Sequence, residues 1–117
     1  MHGTAPAFAL PSIDRQTVSL DELLGEARRT LLLFVHADCP TSVLALERLG
    51  PLGPELERTG VRLVVVAEEP LDGAARLARR AGVRADVLAQ DEPFAVSKAY
   101  GVDAVPTAIL LDEDGSA

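Results

Sequence analysis

Two continuous apolar runs, separated and followed by segments of helical period, predict an α/β domain. TLLLFVH (residues 30–36) and VRLVVVAEE (residues 61–69) show none of the apolar–polar alternation of a half-exposed strand, so they read as strands covered on both faces. Strands alternating with helices imply parallel pairing and a sheet sandwiched between helical layers. The chain has 117 residues, enough for one ordinary domain and too few for two, so residues 1–117 are read as a single unit.

In chain order, SLDELLG opens the helical elements. Ser19 and Glu22 have the spacing of a capping box and Gly25 is a stop signal. After the first apolar run, Val43, Leu46, Leu49, Leu52 and Leu56 recur at helical spacing, with a break expected where Pro51, Gly53 and Pro54 interrupt them. PLDGAARLARRAGV, after the second run, reads as a helix with Ala75, Ala78 and Val83 inward and Arg76, Arg79 and Arg80 outward. DVLA (residues 86–89) is a short strand and PFAVSKAYGV (residues 93–102) is helical. Thr107–Leu111 reads as the last strand, ending in the acidic turn of Asp112 to Gly115.

The hydrophobic fraction is 48%, ample for a core, but aromatic residues make up only 3%, so that core is built from Leu, Val and Ala rather than anchored by rings. The net charge of -7 opposes binding to phosphate backbones or anionic lipid, and no nucleic-acid partner is expected. No apolar stretch approaches the ~20 residues of a membrane-spanning helix. The N-terminus lacks a basic segment followed by a long apolar one. As written, the chain is expected to be cytoplasmic, and periplasmic or membrane-anchored if its N-terminus was trimmed.

The single cysteine, Cys39, excludes a disulfide framework and a cysteine-rich zinc site. His36 and Cys39 would need further ligands to hold a metal, and His2 stands on the terminal segment, so no metal site is expected. Cys39 follows a buried strand and opens a helix, where unpaired N–H groups and the helix dipole favour thiolate over thiol. Pro40 suits the first helical position. Ser42, one turn along, can donate a hydrogen bond to the sulfur. Asp38 places a negative charge beside the thiol and His36 can offset it when protonated, so the sign of the net pKa shift stays open at this point.

FVHADCPTS, followed by YGVDAVPTAILLDEDG, resembles the thioredoxin-like redoxins, the group of thiol-disulfide oxidoreductases and peroxiredoxins. The opening APAFALPSIDRQTVSLDELLG is similar to theirs as well. The resemblance covers essentially the whole chain and implies a thioredoxin-like fold, with a central mixed sheet flanked by helices. It also implies a strand and a helix after the acidic turn; only Ser116 and Ala117 follow, so both are expected to be missing. By the same resemblance Pro106 is a cis proline facing the active-site cysteine, as X–Pro is the only bond that takes cis at modest cost. Val105 would present its backbone to an extended substrate, and Pro40, Thr41 and Thr107 would complete the substrate-binding rim.

Three positions depart from that pattern. Ser42 replaces the second redox cysteine, Leu33 a buried acid, and Asp38 an aromatic residue. Leu32 and His36 replace the proline and threonine of the peroxiredoxin loop. The resemblance therefore implies a monothiol oxidoreductase in which Cys39 and Ser42 are catalytic and an external thiol resolves the mixed disulfide. Its partners would be protein or small-molecule disulfides and thiols, with no cofactor, and a homodimer is possible through the bared strand. The alternatives are a thiol peroxidase and a redox-inactive peptide-binding module.

Overall fold

The computed structural model describes residues 5–14 and 16–117; residues 1–4, with His2, and Arg15 lie outside the described residues. The elements run β1 (Ala9–Pro11), β2 (Thr17–Ser19), α1 (Leu20–Leu24), β3 (Arg29–Val35) and α2 (Pro40–Leu49). A 3-10 turn (Gly50–Leu52) leads to α3 (Gly53–Arg58), β4 (Val61–Ala67), α4 (Leu71–Ala81), β5 (Asp86–Ala89), α5 (Ala95–Ala99) and β6 (Thr107–Asp112). β1 and β2 form a separate antiparallel hairpin, and the main sheet has the order β5-β4-β3-β6.

The two apolar runs lie at the centre of that sheet and pair in parallel, Val35 opposite Ala67. Because strand side chains alternate between faces, each run supplies both cores. Leu33, Val35, Leu63 and Val65 pack with Val43, Leu46, Ala74 and Leu77 of α2 and α4. Leu32, Phe34, Val64 and Val66 pack with Phe8, Leu10, Leu20 and Leu23 on the opposite side.

β6 makes the sheet mixed, as the resemblance implies: it runs antiparallel to β3, with Thr107 opposite Phe34. α5 has only five residues, too short to carry the chain back along the sheet, so β6 starts at the end where β5 finished. That connection delivers residues 105 and 106 to the same sheet end as residues 36–39, which follow β3.

Two readings change. In α4 the buried stripe is Gly73, Ala74, Leu77, Ala78 and Ala81; Ala75 is only half-buried, because its position on the helical wheel falls at the stripe's edge. The helix expected over residues 93–102 shrinks to Ala95–Ala99, as Phe94 takes a left-handed backbone (φ 58°, ψ 54°). The break expected near Pro51 is present, and Gly53 explains its closeness to the neighbouring loop. A Cβ there would lie 1.9 Å from the carbonyl oxygen of Arg84, so only glycine fits. No helix among the described residues is long and apolar enough to cross a membrane.

Candidate active site

The β3–α2 junction is built around Cys39, the N-cap of α2, with Pro40 as the first helical residue. Its backbone N–H donates to the His36 carbonyl at 3.1 Å and its own carbonyl accepts the first helical bond, from Val43, at 3.1 Å. The sulfur accepts the Ser42 N–H at 3.4 Å, taking the place a side-chain oxygen holds in an ordinary cap. Cys39 is half-buried, whereas Ser42 is fully enclosed. The Ser42 hydroxyl accepts the His36 N–H at 3.2 Å, which leaves its own proton for the sulfur.

These contacts decide the sign that residue identity left open. The hydrogen bond from the Ser42 side chain, then those from the backbone at Ser42 and Thr41, hold the Cys39 pKa below its ordinary value, with desolvation working against them. Donors stabilise the charged form, and here they outweigh the loss of hydration. The exposed Asp38 does not figure among the causes of the shift.

Facing the thiol across the sheet end is the Val105 carbonyl, which accepts the Cys39 S–H at 3.6 Å. The Val105–Pro106 bond is cis. Cys39, Ser42 and Val105 are thus brought together, with Pro106 next in chain. Pro40 and Thr41 are exposed beside them. Thr107 is not brought to the sulfur by its hydroxyl, which donates to the Ala104 carbonyl in its own loop.

Three neighbours were not singled out as site residues from sequence. Glu69, just past β4, accepts the Ala37 N–H at 2.9 Å and ties the Cys39 loop to the adjacent strand. His36 accepts the Asp38 N–H on Nδ1 at 3.1 Å, and the same nitrogen lies 3.5 Å from Glu69 Oε2. Phe94 packs edge-on against that ring, centroids 6.2 Å apart and planes at 90°. Only its place after Pro93, at the start of a helical pattern, hinted at a special backbone.

Over 109 residues the chain is 29% identical to the thiol-disulfide oxidoreductase ResA of Halalkalibacterium halodurans, covering 92% of this chain and 60% of that protein; the chain thus spans less than two thirds of that relative. A thiol-disulfide oxidoreductase from Bacteroides fragilis superposes with a TM-score of 0.83 at 20% identity, over 97% of this chain and 86% of that one. A thiol:disulfide interchange protein from Bacteroides sp. gives 0.85 at 17% identity, over 99% and 77%. These likenesses establish a thioredoxin-like fold, with its mixed central sheet between helical layers. The model of the AhpC/TSA family matches residues 1–116, and the chain belongs to that family.

Proposed function

We propose that this chain catalyses thiol–disulfide exchange as a monothiol, with Cys39 as nucleophile and Ser42 as the donor that stabilises its thiolate. The observation that carries this reading is a partly exposed sulfur with a lowered pKa, facing the Val105 carbonyl. A module that only binds peptides has no need of an acidified thiol.

In the first step the Cys39 thiolate attacks one sulfur of a disulfide R–S–S–R′. The S–S bond breaks, Cys39–S–S–R forms, and R′S⁻ leaves to take a proton from solvent. In the second step an external thiol R″SH, as its thiolate, attacks the sulfur of R and expels the Cys39 thiolate, giving R–S–S–R″. Cys39 is the only thiol within these 117 residues, so in this reading the second thiol is supplied by an external partner. Val105 and Pro106 hold the substrate backbone during the attack, with Pro40, Thr41 and Thr107 completing the rim.

Reduction of insulin by dithiothreitol tests the proposal. The chain is expected to accelerate precipitation over dithiothreitol alone, and the Cys39→Ser variant to match the uncatalysed rate. Equal rates for protein and blank would overturn it. A parallel assay with a hydroperoxide as oxidant and the same thiol separates exchange from peroxidase chemistry: faster peroxide consumption than disulfide reduction assigns the thiol to the second reaction.

A further inference from the structure

We infer that His36 is the positioning residue of the Cys39 thiol, with the Phe94 ring as the clamp that keeps its imidazole in place. The inference rests on the exchange reading above and adds the device that fixes the nucleophile loop.

Three of the hydrogen bonds that shape residues 36–42 are made by His36. Its N–H goes to the Ser42 hydroxyl, and its carbonyl takes the Cys39 N–H. Its Nδ1 takes the Asp38 N–H. The first two are main-chain bonds that any residue at this position would keep. The third is made by the side chain alone, and it closes the turn that hands the chain into α2. Without it the Asp38 N–H loses its partner and the turn before the N-cap loosens. The sulfur then no longer sits fixed between its Ser42 donors.

Phe94 supplies an independent observation. Among the described residues it is the single non-glycine with positive φ, at 58°, a region bulky residues rarely adopt unless the surroundings impose it. The imposition is visible in Gln90, which is buried. Its Oε1 accepts the N–H groups of Val96 and Ser97, each at 3.2 Å, and its Nε2 donates to the Ser97 hydroxyl at 2.7 Å. Gln90 thus caps α5 from a distance, a task Phe94 at the N-cap cannot perform, since it has no side-chain acceptor. The outcome of this arrangement is a ring held edge-on to His36. The charged groups facing the imidazole are Glu69, from beyond β4, and Asp38 of its own loop; Phe94, from the α5 side, is uncharged.

The test measures the rate at which Cys39 reacts with iodoacetamide, a neutral reagent, across pH in the full chain. His36→Asn places an amide oxygen where Nδ1 stands, and His36→Gln places it where Nε2 stands. The expected result is a wild-type-like profile for Asn. For Gln the midpoint should move upward and the rate at neutral pH should fall about fivefold, the equivalent of one net hydrogen bond. Phe94→Leu, which leaves His36 intact and frees its ring, should move the midpoint in the same direction. Superimposable profiles for all variants would overturn the inference, as would equal losses in Asn and Gln, since bulk rather than Nδ1 would then matter. Wild-type protein that alkylates normally but fails to reduce insulin defeats the exchange reading, while these profiles still judge His36.

Discussion

Two helices of this chain begin with the same device and put it to different uses. At α1 the Ser19 hydroxyl accepts the Glu22 N–H at 3.2 Å, and the Glu22 carboxylate accepts the Ser19 N–H at 3.1 Å. At α2 the Cys39 sulfur accepts the N–H of Ser42, again three residues on. The first box closes on itself. In the second, the Cys39 N–H goes to the His36 carbonyl instead, and the Ser42 side chain serves the sulfur. Replacing a hydroxyl by an ionisable sulfur and turning the fourth residue toward it gives a helix start whose capping atom has a lowered pKa. The cap geometry is retained, with the sulfur accepting the N–H that an oxygen accepts at α1.

Removing the sulfur tests this contrast most severely. Cys39→Ser should lose all disulfide reduction yet keep its cap, changing stability by no more than about 1 kcal/mol; insulin reduction and a thermal melt read both. A large drop in stability would show that sulfur packing, not capping, holds the junction. Ser42→Ala should raise the Cys39 midpoint, seen by alkylation against pH, and slow exchange at neutral pH severalfold. It also leaves the His36 N–H without its partner, at a cost of about 1–3 kcal/mol in denaturant unfolding. Ser19→Ala should cost about 1 kcal/mol by the same unfolding measurement, with the thiol profile unmoved. A thiol profile that shifted would mean the two junctions are coupled.

The smallest effect lies in the pH dependence of stability. Cys39 has a folded-state pKa below its unfolded one. Its ionisation therefore adds stability that is fully present above the unfolded pKa and is lost as pH falls through the folded pKa. The stability gap between wild type and Cys39→Ser should thus change in that window, with wild type gaining toward alkaline pH. The Ser19 cap should show no such trend, and parallel curves for the two proteins would deny that the thiolate is favoured by the fold.

Much of this was legible in local sequence. The runs around Leu32 and Val65 lack alternation because both strands are central, and Ser19 with Glu22 declares its cap within four residues. Cys39 and Ser42 are likewise one turn apart, so their contact follows from helical geometry. The cis bond at Val105–Pro106 was expected from resemblance to known redoxins rather than from composition or spacing. What sequence did not disclose depends on distant partners. Glu69 meets Ala37 because β3 and β4 pair in parallel with Val35 beside Ala67, a register no local pattern encodes. The mixed sheet was expected through the resemblance, but the left-handed backbone of Phe94 that delays the start of α5 was not. The β1–β2 hairpin has strands of three residues each, too short for alternation to register.

Tyr100 carries a practical consequence on the opposite face of the sheet. Its hydroxyl donates to the Pro6 carbonyl at 2.7 Å, and its ring packs against Phe8 and Phe34. Burial pushes its pKa up to about 12. It is also the only tyrosine, in a chain without tryptophan. Thiolates and phenolates absorb in overlapping regions of the ultraviolet, and in most proteins the second obscures the first. Here the phenol stays silent until strongly alkaline solution, far above the range of an acidified thiol. The ionisation of Cys39 can therefore be watched optically in the unlabelled protein, with no phenolate forming in the same range.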